Sequence, residues 1–465
     1  MARLAWFTPL PPERSGIAAY NAALLPRLAA AHEIHVYTAT EAPRPLDDRS
    51  LQVFPAHEFA WRRLQRPYQL NVYQLGNAAC HDFIWPHLAA HPGLVVLHDG
   101  QLHHARARRL LAGGRDDESR RRGREAYHAE FRYNHPDAPP DVARLVVDAL
   151  AGSIYYLYPM LRWVVSTARL VAVHGPGLAH ELAAEYPAVV VRTIRHGMAD
   201  PFDPDLPRRA AGLRERWGVP AEAVLFAAFG LVTPEKRIPA VLRAFAPLPG
   251  SPHLLLAGGT VGHYDAAAEA RALGVADRVH LTGYVPDDEL DVHVAAADVC
   301  LSLRWPSGRE TSGTWLRALA AGKPTVVSDL AHGGEVHSLD PDTWRVLPAP
   351  FARPGTPPEP VAVSVSLVDE PRQLRRAMSR LADDPGLRQA LGRAARAQWL
   401  AHHTMEAAAH DGLEVIAAAL GSPPPRVRDL PPHLRPDPLA PARRIAAEWG
   451  VAVNGLERDD AEGGR

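Results

Sequence analysis

The feature that most constrains this chain is a repeated unit: a short, wholly apolar segment, a turn rich in Gly and Pro, then a stretch with helical apolar spacing. Leu4–Thr8, Pro9–Gly16 and Ile17–Ala31 form the first such unit. Short apolar runs without alternation belong to strands buried on both faces, which occur where helices cover both sides of a parallel sheet. Further runs at Glu33–Thr38, Asn71–Leu75, Leu94–His98, Leu170–His174 and Val189–Ile194 extend one sheet to about residue 197. A second set, Val224–Phe229, Leu254–Ala257, Val279–Thr282, Val299–Leu303 and Thr325–Ser328, predicts a second sheet. A chain of 465 residues is also too long for one core. The fold class expected is α/β, with two doubly wound open parallel-sheet, Rossmann-like domains facing a cleft, plus C-terminal helices.

The domain boundaries follow from the breaks between these runs. Residues 1–197 form the N-terminal domain, with a helical insertion at 101–165. Residues 198–208, with Pro201, Pro204 and Pro207, read as a linker, and 209–420 as the second domain with amphipathic helices from 371 onward. Residues 421–465 are Pro-rich and weakly periodic, so they are expected to be a mostly flexible tail with one short helix near Ala440–Trp449. Cutting the chain at Gly421 is then expected to leave folding intact.

Charge narrows the partners. With 51 Lys and Arg against 52 Asp and Glu, the chain lacks the basic footprint of a general nucleic-acid binder. Arg120, Arg121, Arg122 and Arg124 cluster in the insertion near Tyr155, Tyr156 and Tyr158. A solvated arginine face is the ordinary explanation; contact with an acceptor or an anionic membrane is the sharper one. The two cysteines, Cys80 and Cys300, lie far apart in apolar stretches and read as reduced thiols of a cytoplasmic protein. The opening residues read as a strand rather than a signal peptide, and no run is long enough to span a bilayer. Peripheral attachment at the inner membrane face stays open.

Ligands of open parallel sheets bind beyond the carboxyl ends of the strands, so the turns there are the places to search. Gly16 closes the first turn just before a helix, where backbone N–H groups are free. His98, followed by Asp99, ends an apolar strand and could make a polar contact or relay a proton. His174 and His196 also follow strands, with structural roles favoured. In the second domain Gly230 begins a turn leading to Lys236 and Arg237, two cations suited to a diphosphate. Arg304, Glu310, Thr311, Ser312, Gly313 and Arg317 lie where another strand runs into a helix. Capping would explain Thr311 or Ser312 but not the acidic, basic and glycine residues together. No Asp-x-Asp or His/Cys cluster stands at these strand ends in the sequence, so no metal or other cofactor is expected.

Taken in order, Pro11 to Tyr20, His98-Asp99, Gly230 to Arg237, Val279 to Val285, Ala297-Asp298 and Glu310 to Pro324 resemble the retaining glycosyltransferases of family 4, which have the GT-B architecture. The resemblance covers about residues 1–405, in the variant with a Glu-Thr-Ser-Gly donor motif. It implies a nucleotide-sugar donor held mainly by the second domain. Lys236 and Arg237 would neutralise the diphosphate, and Glu310 would meet the sugar. N–H groups near Ser312 and Gly313 would hold hydroxyls and phosphate oxygens. Gly16 would let the first loop close over the phosphates, while His98 would touch the sugar from the acceptor side. The acceptor, whether carbohydrate, lipid-linked or small molecule, is not identified, though polysaccharide biosynthesis fits the family. Two departures stand out. The family's second glutamate, eight positions on, is Ala318 here with Arg317 beside it, and its phosphate-loop arginine is Leu231. They leave two rivals: a silent nucleotide-sugar-binding scaffold and a GT-B nucleotide-sugar epimerase.

Overall fold

The computed structural model describes residues 1–435, apart from 47, 49, 114, 115, 151, 331–333 and 426–428, together with Ala446. Two sheets organise it. The first contains β1 (Arg3–Phe7), β2 (Glu33–Thr38), β3 (Gln52–Pro55), β4 (Leu70–Leu75), β5 (Leu94–Leu97), β6 (Leu170–Val173) and β7 (Val191–Thr193), in the order β3-β2-β1-β4-β5-β6-β7. All its pairings are parallel. The second contains β8 (Leu225–Phe229), β9 (His253–Ala257), β10 (Val279–Gly283), β11 (Val299–Ser302), β12 (Thr325–Ser328), β13 (Ser338–Leu339), β14 (Val346–Leu347) and β15 (Ala362–Val365). Its order is β10-β9-β8-β11-β12-β15-β13-β14, parallel except where β14 pairs with β13.

Both orders reverse direction once, between β1 and β4 and between β8 and β11. At such a switch point the helices on either side leave to opposite faces of the sheet, so the carboxyl ends of the two strands border an open crevice. The central strands β1, β5, β6, β8 and β9 are buried along their whole length, as their unbroken apolar runs predict. The runs that escaped detection are β3, β13, β14 and β15, which are short or lie towards the sheet edges.

Three domain assignments need correction. The helix Met405–Gly421 does not belong with the second sheet. Its Met405, Ala408, Val415, Ile416 and Ala419 join Leu24, Leu25 and Leu28 in the core of the first. The helix Gly16–Ala29 is thus packed between the first sheet and the returning helix. The expected linker is shorter than residues 198–208: Met198 N donates to His403 O (2.8 Å), and a helix already starts at Leu206.

The tail is the third correction. Leu430 and Leu434 are buried in the first domain's core, and His433 Nε2 lies 2.9 Å from Glu130 Oε2. Residues 429–435 of the tail therefore dock on the first domain and its insertion; the helix expected near Ala440–Trp449 falls, but for Ala446, outside the described residues. Glu130 itself is fully buried on the insertion helix Asp117–Asn134 and accepts two hydrogen bonds from Arg106, at 2.6 and 2.8 Å. The indole N–H of Trp163 donates to it as well (3.1 Å). On the opposite face of that helix Arg120 and Arg121 pair with Asp117, Glu118 and Glu125, a solvated charged surface.

Truncation after Gly421 should lower the melting temperature clearly, because burying each leucine contributes on the order of 1.5–3 kcal/mol; an unchanged midpoint would leave the tail dispensable. A second effect concerns acid. Burial alone would raise the Glu130 carboxyl, but the Arg106 guanidinium beside it, helped by His433, outweighs burial and holds it at about 2. A carboxylate depressed in the folded state stabilises above its unfolded value of ~4.3 and loses that contribution as pH falls towards 2. Acid unfolding followed by circular dichroism should therefore lose its steep leg between these limits in Glu130→Gln.

Candidate functional site

The site is built at the switch point of the second sheet. β8 ends at Phe229, and Gly230 turns the chain with φ +91°, a conformation that side chains resist. A Cβ on Gly258 would lie 2.0 Å from Gly230 O, so the neighbouring turn after β9 packs against it backbone to backbone. Thr233 then caps a short turn, Pro234–Lys236, with its hydroxyl accepting from Lys236 N. This brings Lys236 Nζ back over the strand end, where it donates to Phe229 O at 2.5 Å.

Beside β8, β11 ends at Ser302 and the chain runs through Arg304 to Ser312. Trp305 N donates to Glu235 O (2.8 Å) and Arg304 N to Ser328 Oγ (3.0 Å), tying this loop to the Lys236 turn and to β12. Arg304 and Glu310 form a close ion pair. Ser312 Oγ accepts from Trp315 N (3.3 Å) and so caps the helix Gly313–Ala320. Lys236, Arg304, Ser307, Glu310, Ser312 and Thr314 line a cleft of about 400 Å³.

Charge in this cleft is finely balanced. Burial first, and the neighbouring Arg304 second, lower the Lys236 ammonium to about 8 against the opposing pull of Glu310. An ammonium held near neutrality by desolvation gains most from an arriving anion. Lys236 spends one of its three donors on Phe229 O, and the N-terminus of a helix adds free N–H groups.

The first domain meets this cleft through its own strand ends. Gly100 N donates to Gly308 O (2.6 Å), and the Arg14 guanidinium sits 4.3 Å from the centre of the Tyr284 ring. Asp99 Oδ2 accepts from Asn77 N (3.0 Å). Burial, with Glu310 facing it, pushes the Asp99 carboxyl up to about 7. Burial likewise raises the Tyr156 phenol, which is close enough to Arg304 and Glu310 to feel both charges. Neither Asp99 nor Tyr156 was assigned a site role from sequence. The signal for Asp99 was its place just past an apolar strand, and for Tyr156 the aromatic run in the insertion.

Of the sequence-expected residues, Lys236, Arg304, Glu310 and Ser312 line the cleft, with Gly230 beneath and Gly313 and Thr311 at its helical rim. Gly16 opens the first helix with free space around the position of a Cβ. Three residues are engaged elsewhere. Arg237 pairs with buried Glu370, its Nε 2.8 Å from Oε1. Arg317 is held by Asp291 and Asp287, at 2.8 Å each. His98 has both nitrogens occupied inside the first domain, Nε2 with Gln74 Oε1 (2.7 Å) and Nδ1 with His174 Nε2 (3.1 Å). The expectation that no histidine cluster stands at strand ends also fails, because His98, His174 and His196 converge there.

Residues 222–347 match the family described as glycosyl transferases group 1. Sucrose-phosphate synthase from Thermosynechococcus elongatus is similar over 90% of this chain and 100% of its own, with a TM-score of 0.59 and 16% identity. The structure of Anabaena HepE in complex with UDP superposes over 90% and 100%, with a TM-score of 0.57 and 15% identity. The fold is GT-B. Within that GT-B frame the family match covers β8 to β14, and so contains the whole Lys236–Glu310 loop pair. In sequence, the 2-deoxystreptamine glucosyltransferase of Streptomyces kanamyceticus is 29% identical over 255 residues, which are 52% of this chain and 62% of that relative. No helix among the described residues is long and apolar enough to cross a membrane.

An anion site of this kind has a measurable pH signature. Lys236 carries its proton below about 8 and loses it above, so pyrophosphate binding should weaken as pH rises through that value. Isothermal titration should find Lys236→Ala about 10- to 100-fold weaker at neutral pH, the size of one charge-assisted hydrogen bond. In Lys236→Arg the alkaline loss should disappear from the accessible range. Equal affinities in all three proteins would remove Lys236 from the site.

Proposed function

We propose that this chain is a retaining glycosyltransferase that moves a sugar from a nucleotide diphosphate-sugar to an acceptor, with no divalent ion on the diphosphate. One constellation supports it above all: Lys236 and Arg304 set against Glu310 beside a capped helix N-terminus, inside the segment that matches the family model. The diphosphate lies against Lys236, Arg304 and the N–H groups at Ser312 and Gly313. Glu310 faces the sugar. As the bond from the anomeric carbon to the phosphate oxygen breaks, its electron pair stays with the diphosphate, and cations already in place stabilise that growing charge. The acceptor hydroxyl attacks from the same face and passes its proton to the departing phosphate oxygen, so configuration is retained. Arg237 and Arg317 act at one remove, Arg237 by fixing the turn that carries Lys236.

The acceptor enters from the first domain, past Asp99 and Tyr156. The family resemblance leaves carbohydrate, lipid-linked and small-molecule acceptors open, and the Streptomyces relative makes an aminocyclitol a sensible member of the test panel.

The deciding experiment incubates the purified chain with UDP-, GDP- and ADP-sugars and a panel of acceptors including 2-deoxystreptamine. Nucleotide release and product anomer are read by chromatography and NMR. Transfer with retention is expected, unchanged within about twofold in EDTA. A product of opposite configuration, or an absolute need for magnesium or manganese, would overturn the mechanism. Donor isomerisation without acceptor would make the chain an epimerase, and binding without turnover a scaffold. With an active donor in hand, Glu310→Gln should lower kcat by on the order of 100-fold with donor affinity changed far less, melting temperatures being measured alongside.

A further inference from the structure

His98, His174 and His196 come from three separate strand ends, beyond β5, β6 and β7, and present ring nitrogens that all lie within 4.8 Å of one another. His98 and His174 are buried, and His196 Nδ1 is shut off from solvent with no hydrogen-bond partner. Tyr20 walls the cluster, its ring 5.6 Å from those of His98 and His174 and 4.6 Å from that of His196. Nothing in the proposed transfer uses this group of side chains.

With the Gln74 amide oxygen turned towards His98, the hydrogen bonds around the rings set where the protons are. His98 Nε2 faces Gln74 Oε1 (2.7 Å), and His174 Nδ1 faces the carbonyl oxygen of Ile194 (3.1 Å). Both partners are oxygens that only accept, so these two nitrogens carry the N–H. The remaining nitrogens, His98 Nδ1 and His174 Nε2, then turn lone pairs towards each other across 3.1 Å. Two lone pairs do not form a hydrogen bond. With the Gln74 amide in this orientation, the pair needs a positive group between them. A shared proton would create a buried imidazolium, and no carboxylate among the described residues hydrogen-bonds to or pairs with any of the three rings.

We propose that His98, His174 and His196 form a transition-metal site, with a Zn²⁺-like dication as its occupant. Imidazole ligands characteristically donate their second N–H to an oxygen acceptor, the role Gln74 and the Ile194 carbonyl fill here. Nitrogens at ~2.0–2.1 Å from a tetrahedral ion lie about 3.3 Å apart, so the first pair needs almost no movement and His196 closes in from at most 4.8 Å. Three neutral nitrogens and no carboxylate, with a water completing the tetrahedron, select Zn²⁺, Co²⁺ or Ni²⁺ over Mg²⁺ or Ca²⁺. Such an ion would tie three neighbouring strand ends together beneath the cleft. It is separate from the diphosphate site, and a buried ion does not exchange on the timescale of a brief EDTA exposure in an assay.

The rival arrangement reverses the Gln74 amide so that its NH₂ donates to His98 Nε2; a chain of neutral hydrogen bonds then needs no ion. Elemental analysis of the full chain, purified without metal-affinity tags, and cobalt titration of protein stripped by prolonged chelation distinguish the two. The proposal expects one transition metal per chain, and a one-to-one Co²⁺ complex with the visible absorption of four-coordinate cobalt. Both should be weakened at least 100-fold in His174→Gln and His196→Gln, and 10- to 100-fold in Gln74→Leu. His410→Ala, altering the exposed His410, Asp411 and Glu414 group, should leave cobalt binding unchanged. If the histidine variants fold poorly, the Zn²⁺-dependent rise in the wild-type melting temperature and the Gln74→Leu titration still decide. Absence of stoichiometric metal together with no saturable cobalt complex would overturn the site, as would a cobalt complex that survives both histidine substitutions.

Discussion

A parallel sheet can be built only if the chain returns to the same end after every strand, and that constraint governs nearly everything else in this molecule. Each return is a helix laid across a sheet face, so the strand-to-helix turns all collect at one edge. Where the returns divide between the two faces, at β1/β4 and β8/β11, the strand ends are uncovered. The second of these openings holds Gly230 to Lys236 on one side and Arg304 to Ser312 on the other. Joining two sheets with these edges facing, through contacts such as Gly100 N to Gly308 O, turns two open crevices into one cleft.

The parts of this design legible in the sequence were those with local causes. A strand buried on both faces must be apolar throughout, and β1, β5, β6, β8 and β9 declare themselves for that reason. Edge strands need not be, so β3 and β14 gave no such signal, while the buried β13 is only two residues long and the buried run of β15 is broken by Ser364. The turns that carry Lys236 and Glu310 were found because ligands sit beyond strand ends. Pairings across long sequence separations were invisible. Arg237 meets Glu370 and Arg195 meets Asp411 only after folding, as His98 meets His174. A cation in the right turn therefore looked free when it was not. The helix Met405–Gly421 and the tail at Leu430 and Leu434 misled in a related way: their apolar residues were read as belonging to the nearest sheet or to none, whereas they pack into the core of the first domain.

The same long-range pairing explains how the site can be selective in a protein of near-zero net charge. Arginines throughout the chain are matched to carboxylates: Arg106 to Glu130 in the insertion, Arg195 to Asp411 on the returning helix of the first domain, Arg317 to Asp287 and Asp291 beside the cleft. Burying a charge is tolerable only when its partner comes with it. Lys236 departs from that pattern. It is half-buried, its near neighbours are a carbonyl oxygen and an ion pair already closed between Arg304 and Glu310, and the desolvation it does suffer weakens its ammonium.

That incomplete compensation is what makes the cleft an anion site and not merely a polar seam. An exposed lysine would gain little from a phosphate, since water screens the pair and already solvates both charges. A lysine whose desolvation is suffered in the empty site recovers it when a dianion arrives, and the same low dielectric that lowered its proton affinity strengthens the new attraction. The glycine at 230 is part of this arrangement: its left-handed backbone turns the chain tightly enough to bring Lys236 back over the end of β8. The buried position of the ammonium thus depends on a backbone conformation that resists side chains, and a substitution at Gly230 would act on the cation through the turn, although the glycine itself offers no side-chain atom to a ligand.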